Sequence, residues 1–386
     1  MASPLSLFAV YAAIWVIITV AWWAFKAERF GLSGLPAYLM YRTTRLNKWI
    51  EAISRSRPIA WRTIWNVGIV TGIGLMTFAF YYLAKNLTYL FVKPQQAGPV
   101  QPIVPLPGLG VSFETFPYLV LALSVVVASH ELSHGIASLV DRVPLKSTGV
   151  FFAHIVMGGF VEPDEEKLNQ ARNLTKLRVF AAGSFTNVVL GILCILLLVN
   201  FPATIALFYN HGGVSIGSVS DSLPAHSSGL QPGDVLVTIN GTKVSSIADL
   251  RNYMSSVNPG QEIVVGTQRG NFPIKTGADP SNSSHALIGI AGLTDAYDPK
   301  MPFLSPDFPM ILFNAGFWLI NVLISVAFIN MLPMFPFDGD KFLEVILNAL
   351  GIKRIKEIRM TANAAAYALL LLNVGLSFFR FGFLRY

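Results

Sequence analysis

Residues 116–140 read Phe-Pro-Tyr-Leu-Val-Leu-Ala-Leu-Ser-Val-Val-Val-Ala-Ser-His-Glu-Leu-Ser-His-Gly-Ile-Ala-Ser-Leu-Val. A helix needs about 20 apolar residues to cross the hydrocarbon core of a bilayer. This stretch meets that requirement except at one polar knot, His130-Glu131-Leu132-Ser133-His134. In a helix the two histidines stand at i and i+4, on one face, with the glutamate beside the first. Imidazoles so placed suit Zn2+, which they bind at about 2.0–2.1 Å, and the adjacent carboxylate suits a general base that takes a proton from water. Ionisable groups in the middle of a span cost about 2.5–3.5 kcal/mol each on insertion scales, so the knot reads as a functional site. The bland alternative is an interhelical hydrogen-bond cluster.

Five further stretches lack Asp, Glu, Lys and Arg: residues 1–25, 63–84, 179–220, 308–337 and 360–379. Together the six give a polytopic α-helical membrane protein with six transmembrane helices. The composition agrees: of 386 residues 53% are hydrophobic and only 13% charged, and the mean hydropathy is +0.55. Soluble domains carry about 25% charge, so a water-soluble enzyme is excluded. The lone Cys194 excludes a disulfide framework and a Cys-rich zinc module. Lys and Arg outnumber Asp and Glu by 28 to 21, but in so apolar a chain the excess marks loops beside the membrane, and no nucleic-acid partner is expected.

Residues 26–62 carry Lys26, Arg29, Arg42, Arg45, Lys48, Arg55, Arg57 and Arg62 against Glu28 and Glu51, which assigns this loop to the cytoplasm. Alternation then puts both termini outside, and residues 209–307 outside as well. That segment is polar and rich in Gly and Ser, as a soluble domain would be. Within it, Ser228-Gly-Leu-Gln-Pro-Gly-Asp-Val-Leu-Val-Thr-Ile-Asn-Gly-Thr-Lys-Val244 alternates turn residues with an apolar strand, and Asn240-Gly241 is a hairpin signal. The run resembles PDZ domains of prokaryotic proteases. The resemblance implies capture of peptide or protein C-termini by strand addition, with residues 212–217 as the candidate carboxylate loop. The bland alternative is a β-rich spacer.

Two imidazoles are one protein ligand short of a catalytic zinc site, so a third must come from another span. Asp338 is the best placed, at the end of Asn330-Met-Leu-Pro333-Met-Phe-Pro336-Phe-Asp338-Gly339. The prolines break the helix there, and broken backbone at membrane depth is tolerated only when buried in protein or lining a water-filled cavity. His-Glu-x-x-His in one span, then Asn-x-x-Pro-x-x-x-x-Asp-Gly in a later one with a PDZ domain between, resembles the site-2 protease family of intramembrane zinc metalloproteases. The resemblance covers about residues 116–347. It implies one Zn2+ held by His130, His134 and Asp338, with Glu131 as general base and acid.

Ala181-Ala-Gly-Ser-Phe-Thr-Asn187 resembles a further family motif, with Ser184 in place of the usual proline. Asn187 and Asn330 are both candidates to bind substrate or the transition state, the alternative being a helix–helix hydrogen bond. Residues 149–161, broken by Gly158-Gly159, are expected by analogy to form a re-entrant β-loop whose edge pairs with unwound substrate. His154 reads as structural, and His211, His226 and His285 as surface residues.

The expected organisation is two N-terminal spans (1–115), a first core segment (116–208), a PDZ-like domain (209–297), a second core segment (298–347) and a last span (348–386). The function so read is cleavage of transmembrane protein substrates in contact with membrane lipid, in a prokaryotic plasma membrane, with the active site towards the cytoplasm. A metal transporter and a non-catalytic PDZ-bearing receptor are the rivals.

Overall fold

A computed structural model describes residues 4–384 except 31, 35–37, 109, 154–155 and 280–281. His154 thus lies outside the described residues. The chain forms two compact units, one of Met1–Leu196 with Ala315–Tyr386 and the other of Leu197–Asn314.

In the first unit, α1 (Pro4–Phe25) is followed by two short strands, β1 (Leu32–Ser33) and β2 (Leu39–Thr43), then by α2 (Arg45–Ser56) and α3 (Pro58–Val92). Helix α4 (Phe116–Val140) carries the polar knot. Strands β3 (Leu145–Ala153) and β4 (Val156–Pro163) form a hairpin behind it, and α5 (Glu165–Gln170) and α6 (Asn173–Val199) follow. The sheet order is β1-β2-β3-β4, which leaves β4 at an edge. In the β3–β4 register Phe151 opposes Gly158 and Val150 opposes Gly159. Asp164 caps α5, its carboxylate accepting from the Lys167 amide at 3.1 Å.

Helix α3 runs past Lys85, where the charge-free stretch ends. The Lys85 ammonium lies 5.4 Å and 5.6 Å from the ring centres of Tyr81 and Tyr89, so its stem stays along the helix surface while its charge is accommodated. In contrast, the apolar run from 179 does not remain one helix to 220. It breaks at Asn200, and Phe201, Ile205 and Tyr209 enter a core cluster of the second unit with Leu198, Tyr297 and Leu304.

The second unit continues as α7 (Phe201–Ile205), β5 (Tyr209–Ser215), β6 (Ser218–Val219), α8 (Pro224–Ser227), β7 (Val235–Ile239), β8 (Thr242–Lys243) and α9 (Ile247–Met254). Strands β9 (Glu262–Thr267), β10 (Gly270–Lys275), β11 (Gly277–Asp279), β12 (Asn282–Leu287), β13 (Ile290–Ala291) and β14 (Thr294–Pro299) complete it. Five strands pair in the order β10-β9-β7-β5-β14, and β8 pairs with β7 through the Asn240-Gly241 turn. Both turn residues have positive φ, 48° and 79°, as a tight hairpin requires. Val214, Ile216, Leu236, Ile239 and Val265 are fully buried and form its centre. The expected carboxylate loop needs correction here. Val214 and Ser215 lie in β5 and pair with β7 on one side and β14 on the other, so this stretch offers no free edge to a peptide. His226 and His285 are exposed, whereas His211 is half-buried, with its ring 5.5 Å from that of Tyr297.

The chain returns to the first unit through α10 (Phe308–Met331), followed by α11 (Asp338–Ala349) and α12 (Ile355–Phe381). Among the described residues, α3, α4, α6, α10 and α12 are long and apolar enough to cross a membrane, and α1 contributes a shorter apolar segment, Ala9–Phe25. The Tyr11 hydroxyl on α1 donates to the Pro107 carbonyl at 3.2 Å, and the Trp15 and Phe152 rings lie 5.7 Å apart. An apolar cavity of about 1430 Å³ lies between α1, α3, α4, α10 and the hairpin, with Trp15, Leu123, Phe152, Met157 and Trp318 among its walls.

Candidate metal centre

Helix α4 presents His130 and His134 on one face, and its close approach to α6 is made possible by Gly183. A Cβ at that position would stand 2.5 Å from His130 Nε2. The third group arrives from far along the chain. Helix α10 stops at Met331, the connection contains Pro333 and Pro336, and α11 begins at Asp338, where the exposed amides of a helix N-terminus favour a carboxylate. Gly339 permits this tight return, since a Cβ there would lie 2.4 Å from the carbonyl oxygens of Met331 and Leu332.

Asp338 Oδ2 lies 3.1 Å from His130 Nε2 and 3.2 Å from His134 Nε2. One ligand atom from each residue falls within 4.8 Å of the others, and both histidines are buried. This donor set fits a Zn2+ ion, which favours imidazole nitrogen and carboxylate oxygen. The orientation of the rings fits too. His134 Nδ1 lies 2.7 Å from the Val179 carbonyl, so a proton on Nδ1 donates to it and Nε2 keeps its lone pair for an ion. Asn187 Nδ2 lies 3.1 Å from His130 Nδ1, while Asn187 Oδ1 is buried without a hydrogen-bond partner. Turning that amide by half a rotation satisfies the oxygen with a proton on His130 Nδ1 and frees His130 Nε2 in the same way.

The remaining candidates also gather here, with one exception. Glu131 accepts from the Val161 amide of β4 at 3.0 Å, which puts its carboxylate against the sheet edge. A Cβ on Gly159 would come 3.6 Å from Glu131 Cγ, whereas one on Gly158 would meet the Phe151 ring at 2.5 Å, so Gly159 faces the glutamate and Gly158 faces its own hairpin partner. Asn330 Nδ2 lies 3.3 Å from His130 Nε2, on the side that Asp338 also approaches.

Two supporting clusters were not anticipated. Arg178, adjacent to Val179, binds Asp141 at 2.8 Å, and Arg62 binds it at 2.9 Å, so the end of α4 is tied to α6 and α3. Burial pushes the Asp141 carboxyl up, but the hydrogen bonds from Arg178 and Arg62 outweigh it and hold the group below its usual range. On the other side, Arg359 binds Asp340 at 2.5 Å and Asn363 accepts from the Phe335 amide at 2.8 Å. Tyr367 donates to the Phe335 carbonyl. Helix α12 therefore supplies partners to the broken backbone just before Asp338. Repeated polar residues at i, i+4 and i+8 on α12 (Arg359, Asn363, Tyr367) were the available sign of this.

The family model described as Peptidase family M50 matches residues 118–373, more than half of the chain. A membrane-bound transcription factor site-2 protease homolog of Arabidopsis thaliana is 31% identical over 139 residues, 36% of this chain and 27% of that protein. An uncharacterized protein of Methanocaldococcus jannaschii is 25% identical over 287 residues, 72% of this chain and 70% of that one. The chain thus spans about a quarter of the first relative and most of the second. Among solved structures, the PDZ domain of an SdrC-like protein of Listeria monocytogenes aligns with 20% of this chain and 85% of its own, at 28% identity and a TM-score of 0.19.

Proposed function

The chain belongs to peptidase family M50, and from that premise we propose that it is an intramembrane zinc endopeptidase of the site-2 protease type, cutting transmembrane segments of membrane proteins. The observation that carries the proposal is the convergence of His130, His134 and Asp338 beside Glu131. His130, His134 and Asp338 hold the single ion, which when bound supplies Lewis acidity towards water and a carbonyl oxygen.

The protein's own groups do the rest. Glu131 takes a proton from the attacking water and delivers it to the departing amine. Asn330, on the Nε2 side of His130, donates to the substrate carbonyl oxygen as it gains negative charge. Asn187 and the Val179 carbonyl hold the two imidazoles in the tautomers that leave Nε2 available.

A helical substrate hides its carbonyls in internal bonds and must be unwound before attack. The β4 edge, which reaches Glu131 at Val161, offers a template for the extended form, and strand addition there brings a peptide bond alongside the carboxylate. The apolar cavity bounded by α1, α4, α10 and the hairpin receives the rest of the substrate helix. In this reading α1 is a sixth span: its 22 residues, at about 1.5 Å rise per residue, match a hydrocarbon core of about 30 Å. The basic loop 26–62 faces the cytoplasm of a prokaryotic cell, the PDZ-like domain and both termini face outside, and the active site lies towards the cytoplasm. The PDZ-like domain takes C-termini and filters substrates by the size of their ectodomains.

Cleavage of a transmembrane peptide by the purified protein in vesicles tests the proposal, and a helix-breaking Gly or Pro near the scissile bond should raise the rate. No cleavage of any transmembrane peptide by zinc-loaded protein, or metal flux across the vesicle wall, would overturn it. Unchanged substrate choice after deletion of residues 212–292 would remove the filter.

A further inference from the structure

The basic loop before α3 contains a feature that the proteolytic reading leaves unused. Helix α2 has three distinct sides. Ile50 and Ser54 are buried against the protein, with Asn47 beside them. Arg45, Lys48 and Arg55 stand exposed on the opposite side. Along one flank between these faces lie Leu46 and Trp49, 49% and 55% exposed. A solvated surface helix has no reason to display an exposed Trp and Leu beside a row of cations. A helix lying in the headgroup layer does, because the apolar flank enters the acyl boundary and the cations meet phosphate.

Covalent geometry supports this position. Only Arg57, itself exposed, separates α2 from α3, one of the helices long enough to cross a membrane. Six residues, 57–62, therefore separate α2 from the charge-free stretch that begins at Thr63. Arg42, on the neighbouring strand β2, is also exposed, with its guanidinium 5.9 Å from the Phe160 ring centre. On the basic face the carboxylate present is Glu51, paired with Arg55 at 2.5 Å, which leaves a net positive surface.

We propose that α2 is an interfacial anchor that binds the headgroups of anionic phospholipids through Arg45, Lys48 and Arg55, with Trp49 and Leu46 inserted beside them. The opposite face touches the catalytic elements. A Cβ on Gly135, the residue after His134, would lie 3.2 Å from Ile50 Cγ2, and Asn47 Nδ2 donates to the Leu145 carbonyl at the start of β3 at 3.2 Å. Lipid composition thus bears on the helix that carries both histidines and on the hairpin beside it. The binding itself does not depend on the protease reading.

The test uses the full chain with Cys194→Ser and a donor fluorophore on Ser56→Cys at the exposed end of α2. It is reconstituted in phosphatidylcholine vesicles containing traces of acceptor-labelled phosphatidylglycerol or phosphatidylcholine. Each cation near an anionic surface is worth about a fivefold change in local enrichment. Energy transfer should therefore favour phosphatidylglycerol several-fold, and the preference should vanish in R45Q/K48Q/R55Q and at high salt. It should persist in R45K/R55K and in K353Q/K356Q. Equal transfer from the two lipids in the parent chain would overturn the proposal and leave the surface to an acidic protein partner. Equal loss in K353Q/K356Q would also overturn it, since the preference would then belong to basic loops in general. Because transfer is read without substrate, an inactive protease would not alter either result.

Discussion

Asp338 and His130 lie 208 positions apart in sequence, yet Asp338 Oδ2 stands 3.1 Å from His130 Nε2. That approach requires α4, α6 and the break after α10 to meet with very little space between them. The packing makes several consequences measurable.

Gly183→Ala should abolish the centre without unfolding the protein. Its methyl group would stand 2.5 Å from His130 Nε2, so the imidazole must move. Zinc content and cleavage should both fall at least tenfold, as a displacement costing about 1.4 kcal/mol or more implies. Gly74→Ala is the control, since nothing lies within 4 Å of that added carbon. Zinc analysis and a peptide assay on the two purified variants check both expectations.

Asn187→Ala should weaken zinc binding by about 10- to 100-fold, the usual effect of losing a partner that orients a ligand. Asn187→Asp should lose less, because a carboxylate oxygen still accepts from His130 Nδ1. Competition with a chelator of known affinity separates the two, and equal affinities in all three proteins would assign Asn187 to helix packing alone.

Gly159→Val should impair cleavage while leaving zinc in place. A Cβ at that position meets Val127 Cγ1 at 3.0 Å and Glu131 Cγ at 3.6 Å, so the larger side chain wedges β4 from α4. Overpacking of about 1–3 kcal/mol predicts roughly a tenfold or greater loss of turnover. Metal analysis in parallel shows whether the loss lies on the substrate side.

In the second unit, the buried Asp234 carboxylate is held below its usual pKa chiefly by hydrogen bonds from Arg269. A depressed carboxylate contributes stability that is complete above the unfolded value of about 3.9 and is lost as pH falls through the lower folded value. Hydrogen exchange at residues 230–236 should therefore be faster in Arg269→Leu than in the parent at neutral pH, with the difference closing in acid. A difference that did not change with pH would point to lost side-chain packing.

Much of this arrangement was legible in local pattern. Spacing alone put His130 and His134 on one face, and a charge following a proline-broken apolar run singled out Asp338. What stayed hidden depended on contacts distant in sequence. Strand β2, inside a loop read only for its charge, pairs from Leu39 with Phe152 to Thr43 with Thr148, and no local periodicity announces such a partner. The last span lay beyond the residues that carry the resemblance, yet Asn363 and Arg359 on α12 hold the chain on either side of Asp338. Charge-free length misjudged helix ends in both directions, because Lys85 rests on two tyrosines inside α3 and Phe201 belongs to a core cluster of the second unit. The loop expected at residues 212–217 differs for the same reason over its first four positions: 212–215 lie in β5, which is flanked by partners remote in the chain.

The most direct measurement is zinc stoichiometry together with turnover for the purified parent, Glu131→Gln and Asp338→Ala. The parent should hold about one ion per chain and cleave, Glu131→Gln should hold one ion without cleaving, and Asp338→Ala should do neither. Full zinc retention in Asp338→Ala would remove that residue from the centre, and turnover at the parental rate in Glu131→Gln would remove the general base.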